Sequence, residues 1–568
     1  MIALNAQIGC NCPDGLMTAR SPLAILLKVV RLKTRAMIKK LLRATINYKE
    51  SIFMSGYKNI LKELLKEVVA ELFSGCLISA ENTESGFYCD FDLSSPLNAD
   101  GINAINAWLS ELDISCAYEL SGFSGAYLDG DANKKMLQRI YVTAFETPDE
   151  LKQHQKKLSI AAEHNHKKLG SQLGLFSTSE EVGQGLVLWH PKGATIRFLL
   201  EQFSQAAHLL NGYQWSYTPH IGRSELWKTS GHLDNFRDLM YSPLDIDGEE
   251  YYLKPMNCPF HFIIYNNETR SYRDLPIRMA EFGTVYRYEL SGTLNGLTRV
   301  RGFTQDDAHI ICTPEQVESE VAFALKFSLY ILQAFGLTKF KSYVSTKPKN
   351  KSIGTDEQWD IATEVLKKAV VSAGLEYEID DGGGAFYGPK IDLKLYDSLG
   401  REWQCSTIQF DFNLPERFKM KYIGSDGKKH APYIVHRALF GSIERFFAML
   451  IEHYKGNFPL WYAPVQFAII PINHFHNAYC KKLEIALKRK GLRVEADYTE
   501  NHMREKIKRF ESDKIPFMLV VGDKDIDAGG FSVRSRKDGN LGLMKLDLLM
   551  EHIQDEIEQG NPKYIMEE

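Results

Sequence analysis

Apolar residues recur at helical spacing in two long stretches of the chain. They keep one face apolar over Ile60–Phe73, where Gly75 can end the helix, and again over Ala194–Leu210. The more polar segment His154–Phe176 predicts another helix, which joins two domains. A strand-like segment, Tyr213–Ile221, comes next after Leu210. The pattern therefore predicts a chain of mixed helix and strand.

The pattern changes near the C-terminus, where short apolar strands alternate with helical segments. The predicted strands and helices, in chain order, are Val465–Ile472, Tyr479–Lys490, Leu492–Asp497, His502–Phe510 and Phe517–Val521. This alternation predicts a small α/β domain over residues 463–568.

Glu281–Ile310 is the densest polar stretch and predicts a strand, a glycine-rich turn and a second strand. Alternation places four side chains on one face of the second strand, namely Phe303, Gln305, Asp307 and His309. Such a face makes a poor core and a good binding floor. Nearby arginines, Arg287, Arg299 and Arg301, suit phosphate or carboxylate. A solvated hairpin with surface ion pairs fits the same pattern equally well.

Val435–Leu450 is a second candidate for anion binding. A strand ends at Gly441 and a helix begins at Ser442, with Arg445 in its first turn. Helix N-termini attract anions through free N–H groups. An arginine in a first turn is also common on protein surfaces, so this segment is weak evidence by itself.

Composition narrows the class of protein. The 568 residues are 44% hydrophobic and 25% charged, which excludes a disordered or collagenous chain. No run of about 18 apolar residues occurs, so we expect no membrane span. The net charge of −4 does not indicate a nucleic-acid binder, so any contact with RNA must use local basic surfaces. Nine dispersed cysteines indicate reduced thiols in a reducing compartment.

The first 50 residues differ from the rest. They carry nine Lys/Arg against Asp14 and Glu50, a balance of +7 that leaves −11 for the remaining chain. A basic, acid-poor leader is typical of an organellar transit peptide. A basic helical arm and a misassigned start, with Met54 opening the folded protein, explain it equally well. We therefore treat residues 1–52 as a separate basic extension.

The segments Glu281–Ile310 and Val435–Leu450 resemble motifs 2 and 3 of class II aminoacyl-tRNA synthetases. The helix and strand that end at Pro219 resemble motif 1. Six further segments resemble threonyl-tRNA synthetases in order: HLDNFRDLMY, KPMNCPFH, SYRDLPIRMAEFG, RGFTQDDAHI, GAFYGPKIDL and WQCSTIQFDF. The likeness runs from about Gly125 to the C-terminus. It implies ATP-dependent ligation of L-threonine to tRNA(Thr), a step of protein biosynthesis, through a threonyl-adenylate.

The resemblance also implies a fold and a domain order. The expected fold is α/β (α+β), with an antiparallel-sheet catalytic domain flanked by helices and a small α/β anticodon-binding domain. Residues 53–145 are expected to be a degenerate editing-domain remnant, residues 146–462 the catalytic domain and residues 463–568 the anticodon-binding domain. Motif 1 implies a homodimer. A cytoplasmic location suits the core, while the basic extension leaves mitochondria open.

Members of this family hold one zinc ion per subunit in the amino-acid pocket. The matching ligands are Cys258, His309 and His436, whose spacings of 51 and 127 residues would not reveal a metal site by themselves. Three protein ligands leave coordination positions for the substrate's amine and hydroxyl. The resemblance makes Asp307 the acceptor of the hydroxyl proton. It lines the pocket with Gln305, Tyr387, Gln404 and Gln409.

The resemblance also assigns the residues that handle ATP and the tRNA. Arg287 holds the α-phosphate and carboxylate, Arg299 and Arg445 the distal phosphates, Phe303 the adenine, and Glu289 the nucleotide or the tRNA end. Mg²⁺ accompanies ATP. The expected proton shuttle near the terminal ribose is His232, which an interface histidine would also explain. The expected readers of the anticodon are Asp527 and Arg536, although the family prefers Glu at the first position.

Two departures from the family pattern lead to expectations. Ser406 stands where the family usually has Gly, and its Cβ either narrows the pocket wall or fits there because serine is small. The first histidine of the chain is His154, so the H-x-x-x-H helix of the editing site is missing. We therefore expect Ser-tRNA(Thr) not to be cleared in cis. A catalytically silent paralogue that binds an amino acid or RNA, and a sister synthetase for serine or proline, are the alternatives.

Overall fold

The computed structural model describes residues 56–112, 114, 116–128, 134–349 and 352–565. The chain divides into two compact units, one up to Leu158 and one from Ser159. The predicted basic extension over residues 1–52 lies outside the described residues. Among the helices described, none combines the length and the apolar character that crossing a bilayer requires.

The first unit packs helices on one antiparallel sheet. Its described elements are α1 (Gly56–Phe73), β1 (Cys76–Thr83), β2 (Gly86–Asp92), α2 (Ala99–Ser110), β3 (Ala117–Tyr127) and β4 (Met136–Phe145). The strands lie in the order β1-β2-β4-β3. The predicted apolar helix is confirmed, and it buries Leu61, Leu64, Leu65, Val68 and Val69. The residue in left-handed conformation after α1 is Ser74, with φ 51°, rather than the expected Gly75.

The second unit follows helix α3 (Pro148–His164), within which the division falls. Its described helices are α4 (His166–Gln172), α5 (Pro191–Leu210), α6 (Ser224–Ser230), α7 (His232–Asn235), α8 (Cys258–Asn266), α9 (Val317–Ala334), α10 (Asp356–Ser372), α11 (Leu414–Arg417), α12 (Ile443–Tyr454), α13 (Asn477–Arg489), α14 (Met503–Ser512), α15 (Asp523–Asp527) and α16 (Leu546–Glu558). Short 3₁₀ helices lie at Arg237–Leu239, Ser291–Thr293, Leu460–Tyr462 and His474–His476.

The strands of the second unit build several sheets. They are β5 (Phe176–Ser177), β6 (Leu188–Trp189), β7 (Gln214–Trp215), β8 (Ile221–Arg223), β9 (Leu244–Ile246), β10 (Glu249–Leu253), β11 (Arg270–Ser271), β12 (Ile277–Tyr286), β13 (Gly302–Cys312), β14 (Phe340–Ser345), β15 (Glu378–Asp380), β16 (Lys390–Tyr396), β17 (Glu402–Asp411), β18 (Tyr422–Ile423), β19 (Lys429–His430), β20 (Tyr433–Ala438), β21 (Phe467–Pro471), β22 (Val494–Ala496), β23 (Phe517–Val521), β24 (Phe531–Ser535) and β25 (Gly539–Met544). The largest sheet in the described part of the chain has the order β15-β14-β16-β17-β20-β13-β12-β7.

Two predicted elements differ from the structure. The helix expected over His154–Phe176 is interrupted at Asn165, whose extended backbone and side chain cap α4 by accepting a hydrogen bond from the backbone N–H of Lys167. The strand expected over Tyr213–Ile221 pairs only at Gln214–Trp215 and resumes as β8. Pro219 lies between these pieces, and proline cannot donate a backbone hydrogen bond to a sheet.

The large sheet has one apolar and one polar face. Ala308 and Ile310 on β13 belong to the main core together with Leu200 of α5, Phe327 of α9 and Phe446 of α12. Because side chains alternate along a strand, the odd-numbered residues of β13 point to the opposite face. The apolar face therefore packs on helices and leaves the other face for a site.

The C-terminal part, with all of residues 467–544 described, confirms the predicted strand–helix alternation. Its sheet has the order β22-β21-β23-β24-β25. The first three strands are parallel, and β24 and β25 add an antiparallel hairpin that the sequence pattern did not predict.

A buried carboxylate ties the loop before β13 to helix α12. Glu452 of α12 accepts hydrogen bonds from the backbone N–H of His166 at 3.0 Å, from its Nδ1 at 2.7 Å and from the backbone N–H of Ser398 at 2.6 Å. The Nε2 atom of His166 accepts from the backbone N–H of Leu297 at 3.2 Å. Burial by itself would raise the pKa of Glu452, but these hydrogen bonds lower it to about 2.

We expect Glu452→Gln to lower the free energy of unfolding by about 3 kcal/mol at pH 7, since the folded-state pKa lies below the ordinary value. A depressed carboxyl pKa stabilises the fold above the unfolded-state pKa, and this contribution is lost as pH falls. The difference between wild type and variant should therefore shrink between pH 5 and pH 2. Urea unfolding at pH 7 and pH 3 measures it, with the exposed Glu551→Gln as control. An equal difference at both pH values would contradict the assignment.

Candidate active site and metal centre

Strand register brings distant residues into rows on the polar face of the large sheet. His309 of β13 lies opposite His436 of β20, His436 opposite Gln409 of β17, and Gln409 opposite Lys390 of β16. The neighbouring row is Asp307, Ala438, Thr407 and Asp392. The floor of the site is thus made of side chains from four adjacent strands, as alternation on β13 predicted.

A β-bulge at Cys405 completes this floor. Gln404 and Gln409 are five residues apart, so a regular strand would point them to opposite faces. The register of β16 and β17 shifts between Ser406 and Gln404, and Gln404 comes to lie on the face of Thr407 and Gln409. Its Nε2 donates to Asp392 Oδ1 at 2.8 Å.

Helix α8 places a thiol above the row of imidazoles. Cys258, His309 and His436 are all buried, and one potential ligand atom of each lies within 4.8 Å of the other two. The rings of His309 and His436 are 4.7 Å apart and nearly perpendicular. The structure therefore brings together all three residues that the sequence comparison matched to metal ligands.

Hydrogen bonding leaves one nitrogen of each imidazole for a metal. Asp411 Oδ2 is 2.9 Å from His436 Nε2, and its Oδ1 accepts backbone N–H groups of Asn413 and Leu414. The Nδ1 atom of His309 is hydrogen-bonded, whereas its buried Nε2 has no hydrogen-bond partner. A thiol and two imidazoles with oriented outer partners fit a zinc ion. Burial raises the pKa of the Cys258 thiol, and a bound cation would replace that proton.

Asp307 is held in place by an asparagine that the sequence comparison did not single out. Asn257 Nδ2 donates to Asp307 Oδ2 at 3.0 Å, and both residues are buried. Burial raises the pKa of Asp307, and the hydrogen bond from Asn257 opposes that rise. Gly283 makes room for this contact, since a Cβ there would lie 2.3–2.4 Å from the Asn257 side chain.

A cavity of about 420 Å³ opens above the floor. The predicted site residues that line it are Arg287, Glu289, Arg299, Phe303, Gln305, Asp307, Tyr387, Gln404, Gln409 and Arg445, together with Cys258, His309 and His436. Its size and its polar lining suit a small polar ligand together with a nucleotide.

Two arginines of the cavity are half-buried and donate hydrogen bonds to backbone carbonyls. Arg445 Nε donates to Thr298 O at 2.9 Å and Nη1 to Gln404 O at 2.7 Å. Arg287 Nε donates to Pro255 O at 3.3 Å, and its guanidinium lies 5.1 Å from the centre of the Phe303 ring. Burial lowers the pKa of both arginines, which raises the benefit of meeting an anion. The expected N-cap of α12 is confirmed, because Ser442 Oγ accepts from the Arg445 N–H at 3.1 Å.

A third arginine and a lysine add to the positive charge. Arg299 is more exposed, and its Nε is 3.0 Å from Glu289 Oε2. Lys390 lines the cavity and forms an ion pair with Asp392. Motif likeness does not single out Lys390, although alternation in GPKIDL puts it on one face with Asp392.

The structure places two predicted residues away from the cavity wall. His232 is fully buried, with Nδ1 2.6 Å from Ser230 Oγ and Nε2 3.0 Å from the sulfur of Met256, which lines the cavity. Burial, followed by the charge of Arg287, lowers the pKa of His232 to about 3, and a role as proton shuttle stays a prediction. Ser406 does not line the cavity, because its Oγ donates to Leu439 O at 2.5 Å on the other face. Of the two effects considered for Ser406, narrowing of the pocket wall therefore does not occur, and the serine fits on the opposite face.

The two predicted anticodon readers lie in the C-terminal part of the chain. Asp527 is exposed at the end of α15. Arg536 follows β24, and its guanidinium donates to the backbone carbonyls of Lys514 and, at 2.7 Å, Phe458. These contacts occupy Arg536 in the structure, and base reading by either residue stays a prediction.

Two known protein families match this chain, one in the part that holds the cavity and one in the C-terminal part. Residues 241–454 match the tRNA synthetase class II core domain (G, H, P, S and T). Residues 466–556 match an anticodon binding domain. The metal donors and the cavity arginines all lie inside the first match.

Individual relatives are similar over most of the chain. A threonine–tRNA ligase of Aquifex aeolicus is 52% identical over 441 residues, which cover 78% of this chain and 69% of that one. A threonine–tRNA ligase of Borrelia turicatae is 51% identical over 438 residues, covering 77% and 75%. The solved RNA binding domain of threonyl-tRNA synthetase from Cryptosporidium parvum Iowa II is 40% identical with a TM-score of 0.66, covering 69% of this chain and 98% of that one.

We expect Gly283→Ala to lower the free energy of unfolding by about 1–3 kcal/mol, because the new Cβ must displace the buried Asn257. In an Asn257→Ala background the same substitution should cost at least about 1 kcal/mol less. Gly292→Ala, where nothing lies within 4 Å of the new Cβ, is the control. Chemical denaturation of the four-member cycle measures the coupling, and equal costs in both backgrounds would refute the contact.

Proposed function

This chain belongs to the threonine–tRNA ligases, a family of class II aminoacyl-tRNA synthetases, and on that premise we propose that it selects L-threonine with one zinc ion per subunit. The observation that carries the proposal is the buried group of Cys258, His309 and His436 beside Asp307. These three residues would hold the ion, and open coordination positions would receive the amine and hydroxyl of threonine. Asp307 would accept the hydroxyl proton.

The hydroxyl gives this arrangement its selectivity. Threonine and valine have nearly the same shape, so an apolar pocket separates them poorly. A site that must satisfy a hydroxyl rejects the analogue that lacks it, by roughly 10⁴-fold or more. Gln305, Tyr387, Gln404 and Gln409 line the same cavity and would complete the pocket around the amino acid.

We also propose how the chain handles ATP, which class II synthetases use with Mg²⁺. Arg287 and Lys390 would meet the α-phosphate and the threonine carboxylate, and Arg299 and Arg445 the distal phosphates. Fixed cations stabilise the charge that grows on phosphate oxygens as the adenylate forms. Phe303 would stack on adenine. The cavity contains few groups that could take the place of these cations, so losing one should slow activation strongly.

We expect zinc-loaded protein to catalyse ATP–pyrophosphate exchange that depends on threonine, and Cys258→Ala to lose both the zinc and the discrimination against valine. Discrimination should fall from roughly 10⁴-fold or more to below about 200-fold, since only shape then separates the two amino acids. Metal analysis and exchange kinetics with each amino acid measure this. The control is Cys312→Ala, which removes a buried thiol of β13 that lies in the apolar core.

Three outcomes would contradict the proposal in different ways. Undiminished discrimination in Cys258→Ala would exclude zinc-based selection. Absence of exchange with metal-replete wild type would favour a catalytically silent paralogue. Preferential exchange with serine or proline would indicate a sister synthetase.

We further propose that the chain does not clear Ser-tRNA(Thr) in cis, and that residues 53–145 are a remnant of an editing domain. Helix α1 and the strands around it carry no histidine, and the sequence has none before His154. Cys89 lies in the apolar core of the first unit, where burial raises its pKa to about 12. A thiol in such surroundings is inert. These observations support a scaffold without editing chemistry.

Serine keeps the amine and hydroxyl of threonine and lacks one methyl, so we expect a preference for threonine of only about 10–200-fold. Preformed Ser-tRNA(Thr) should lose its amino acid within about twofold of the rate in buffer when purified protein is added. Acid-gel analysis of labelled Ser-tRNA(Thr), with Thr-tRNA(Thr) as the parallel substrate, measures this. Rapid hydrolysis of the serine ester would refute the proposal.

We make further proposals about the domains, the oligomeric state and the cellular location of the chain. We propose residues 146–462 as the catalytic domain and residues 463–568, with Asp527 and Arg536, as the part that binds the anticodon of tRNA(Thr). We propose a homodimer through α5 and the segment that follows it up to Pro219, where Phe198 is 57% exposed and Tyr217 is 79% exposed. Light scattering on purified protein tests the dimer, and the mature N-terminus of the native protein tests whether it acts in the cytoplasm or in mitochondria.

A further inference from the structure

We propose that His261 is a positioning residue for the metal site, which fixes His309 in the tautomer that binds metal and links it to the buried carboxylate of Glu281. The inference rests on the proposed zinc site and concerns a histidine that contributes no ligand to it. Its basis is a chain of buried contacts behind His309.

His261 and Cys258 lie on the same face of helix α8, three residues apart. The Nδ1 atom of His261 is 2.8 Å from the Nδ1 atom of His309, and the two rings are nearly perpendicular with centres 4.8 Å apart. Both imidazoles are completely buried. Helix α8 therefore carries both the candidate ligand Cys258 and the residue His261, which contacts the second candidate ligand, His309.

The contact between two Nδ1 atoms requires one ring to donate and the other to accept. If His309 donates, its Nε2 keeps a free lone pair, and this buried Nε2 has no hydrogen-bond partner among the described residues. If His261 donated, the proton of neutral His309 would sit on Nε2 and block a metal. Metal binding by His309 therefore selects the first arrangement.

In that arrangement the proton of His261 lies on Nε2, which is 3.6 Å from Glu281 Oε1. Glu281 is buried, and its two carboxylate oxygens accept from Thr218 Oγ1 at 2.9 and 3.0 Å. Lys254 Nζ donates to Thr218 Oγ1 at 2.8 Å and lies 3.8 Å from Glu281 Oε1. A carboxylate fixed in this way attracts the His261 proton and makes His309 a better donor to a cation.

The other imidazole ligand has a direct carboxylate partner instead. Asp411 Oδ2 is 2.9 Å from His436 Nε2, with no residue between them. The site thus supports its two imidazoles differently, one directly and one through His261. Removal of His261 should therefore weaken metal binding by His309 and leave metal binding by His436 unchanged.

The test measures zinc loss from full-length protein to an excess of chelator. We expect His261→Leu, which keeps the volume without a hydrogen-bond acceptor, to speed zinc loss at least tenfold. His261→Asn places an acceptor oxygen where Nδ1 lies and loses the link to Glu281, so it should be about threefold faster than wild type, as should Glu281→Gln. His208→Leu replaces another buried histidine, which bonds the Ser204 carbonyl, and should stay within twofold.

Cobalt in place of zinc gives a second readout. The visible absorption of the Co²⁺ form should change in His261→Leu and be largely restored in His261→Asn, which a loss of packing alone would not produce. A folded His261→Leu with zinc loss like wild type would overturn the inference, and so would His261→Asn as fast as His261→Leu.

If His261→Leu does not fold, Glu281→Gln decides, because unchanged zinc loss in that variant would overturn the link to the carboxylate. Wild type that binds no zinc would overturn the proposed metal site and this inference together. Zinc-loaded wild type with insensitive variants would overturn only this inference, so the two failures are distinguishable.

Discussion

The register of the antiparallel sheet is the constraint on which the site depends. A single register across β13, β20, β17 and β16 lines up His309, His436, Gln409 and Lys390 in one row. A slip of one residue would turn every one of these side chains toward the helices, because side chains alternate with a period of two. Packing of Ala308 and Ile310 into the apolar core opposes such a slip. The core on one face thereby fixes the chemistry on the other.

Burial of polar groups in the large sheet is tolerated because many of them have partners. On the face of the site, Asn257 holds Asp307 and Asp411 holds His436. On the face toward the helices, the carboxylate of Asp306 accepts the backbone N–H groups of Leu439 and Phe440. A buried polar atom without a partner costs free energy, so each exception needs a reason. For the unpartnered Nε2 of His309, the reason would be that this nitrogen faces a cation. His261 and Glu281 lie behind His309 and hold its ring, so they belong to the same site.

Electrostatics in the cavity favour an anionic ligand before any ligand arrives. Arg287 and Arg445 are half-buried and donate to backbone carbonyls, which are neutral, so these hydrogen bonds do not compensate the charge of either guanidinium. Lys390 and Arg299 add two cations whose partners are carboxylates at the cavity edge. Fixed charges of this kind cost no reorganisation when phosphate charge grows. The candidate metal ligands Cys258, His309 and His436 line the same cavity.

The local parts of this arrangement can be predicted from the amino-acid pattern alone. Helical periodicity predicted α1 and α5, alternation placed Phe303, Gln305, Asp307 and His309 on one face, and Ser442 marked the start of α12. Family likeness named the three metal donors, which spacing never could, since 51 and 127 residues separate them. The bulge at Cys405, the turn of Ser406 away from the cavity, the burial of His232 and the contact between His261 and His309 become visible only in the folded chain. Short-range patterns follow from the backbone period of one element, whereas these features arise from pairing and packing between elements far apart in the chain.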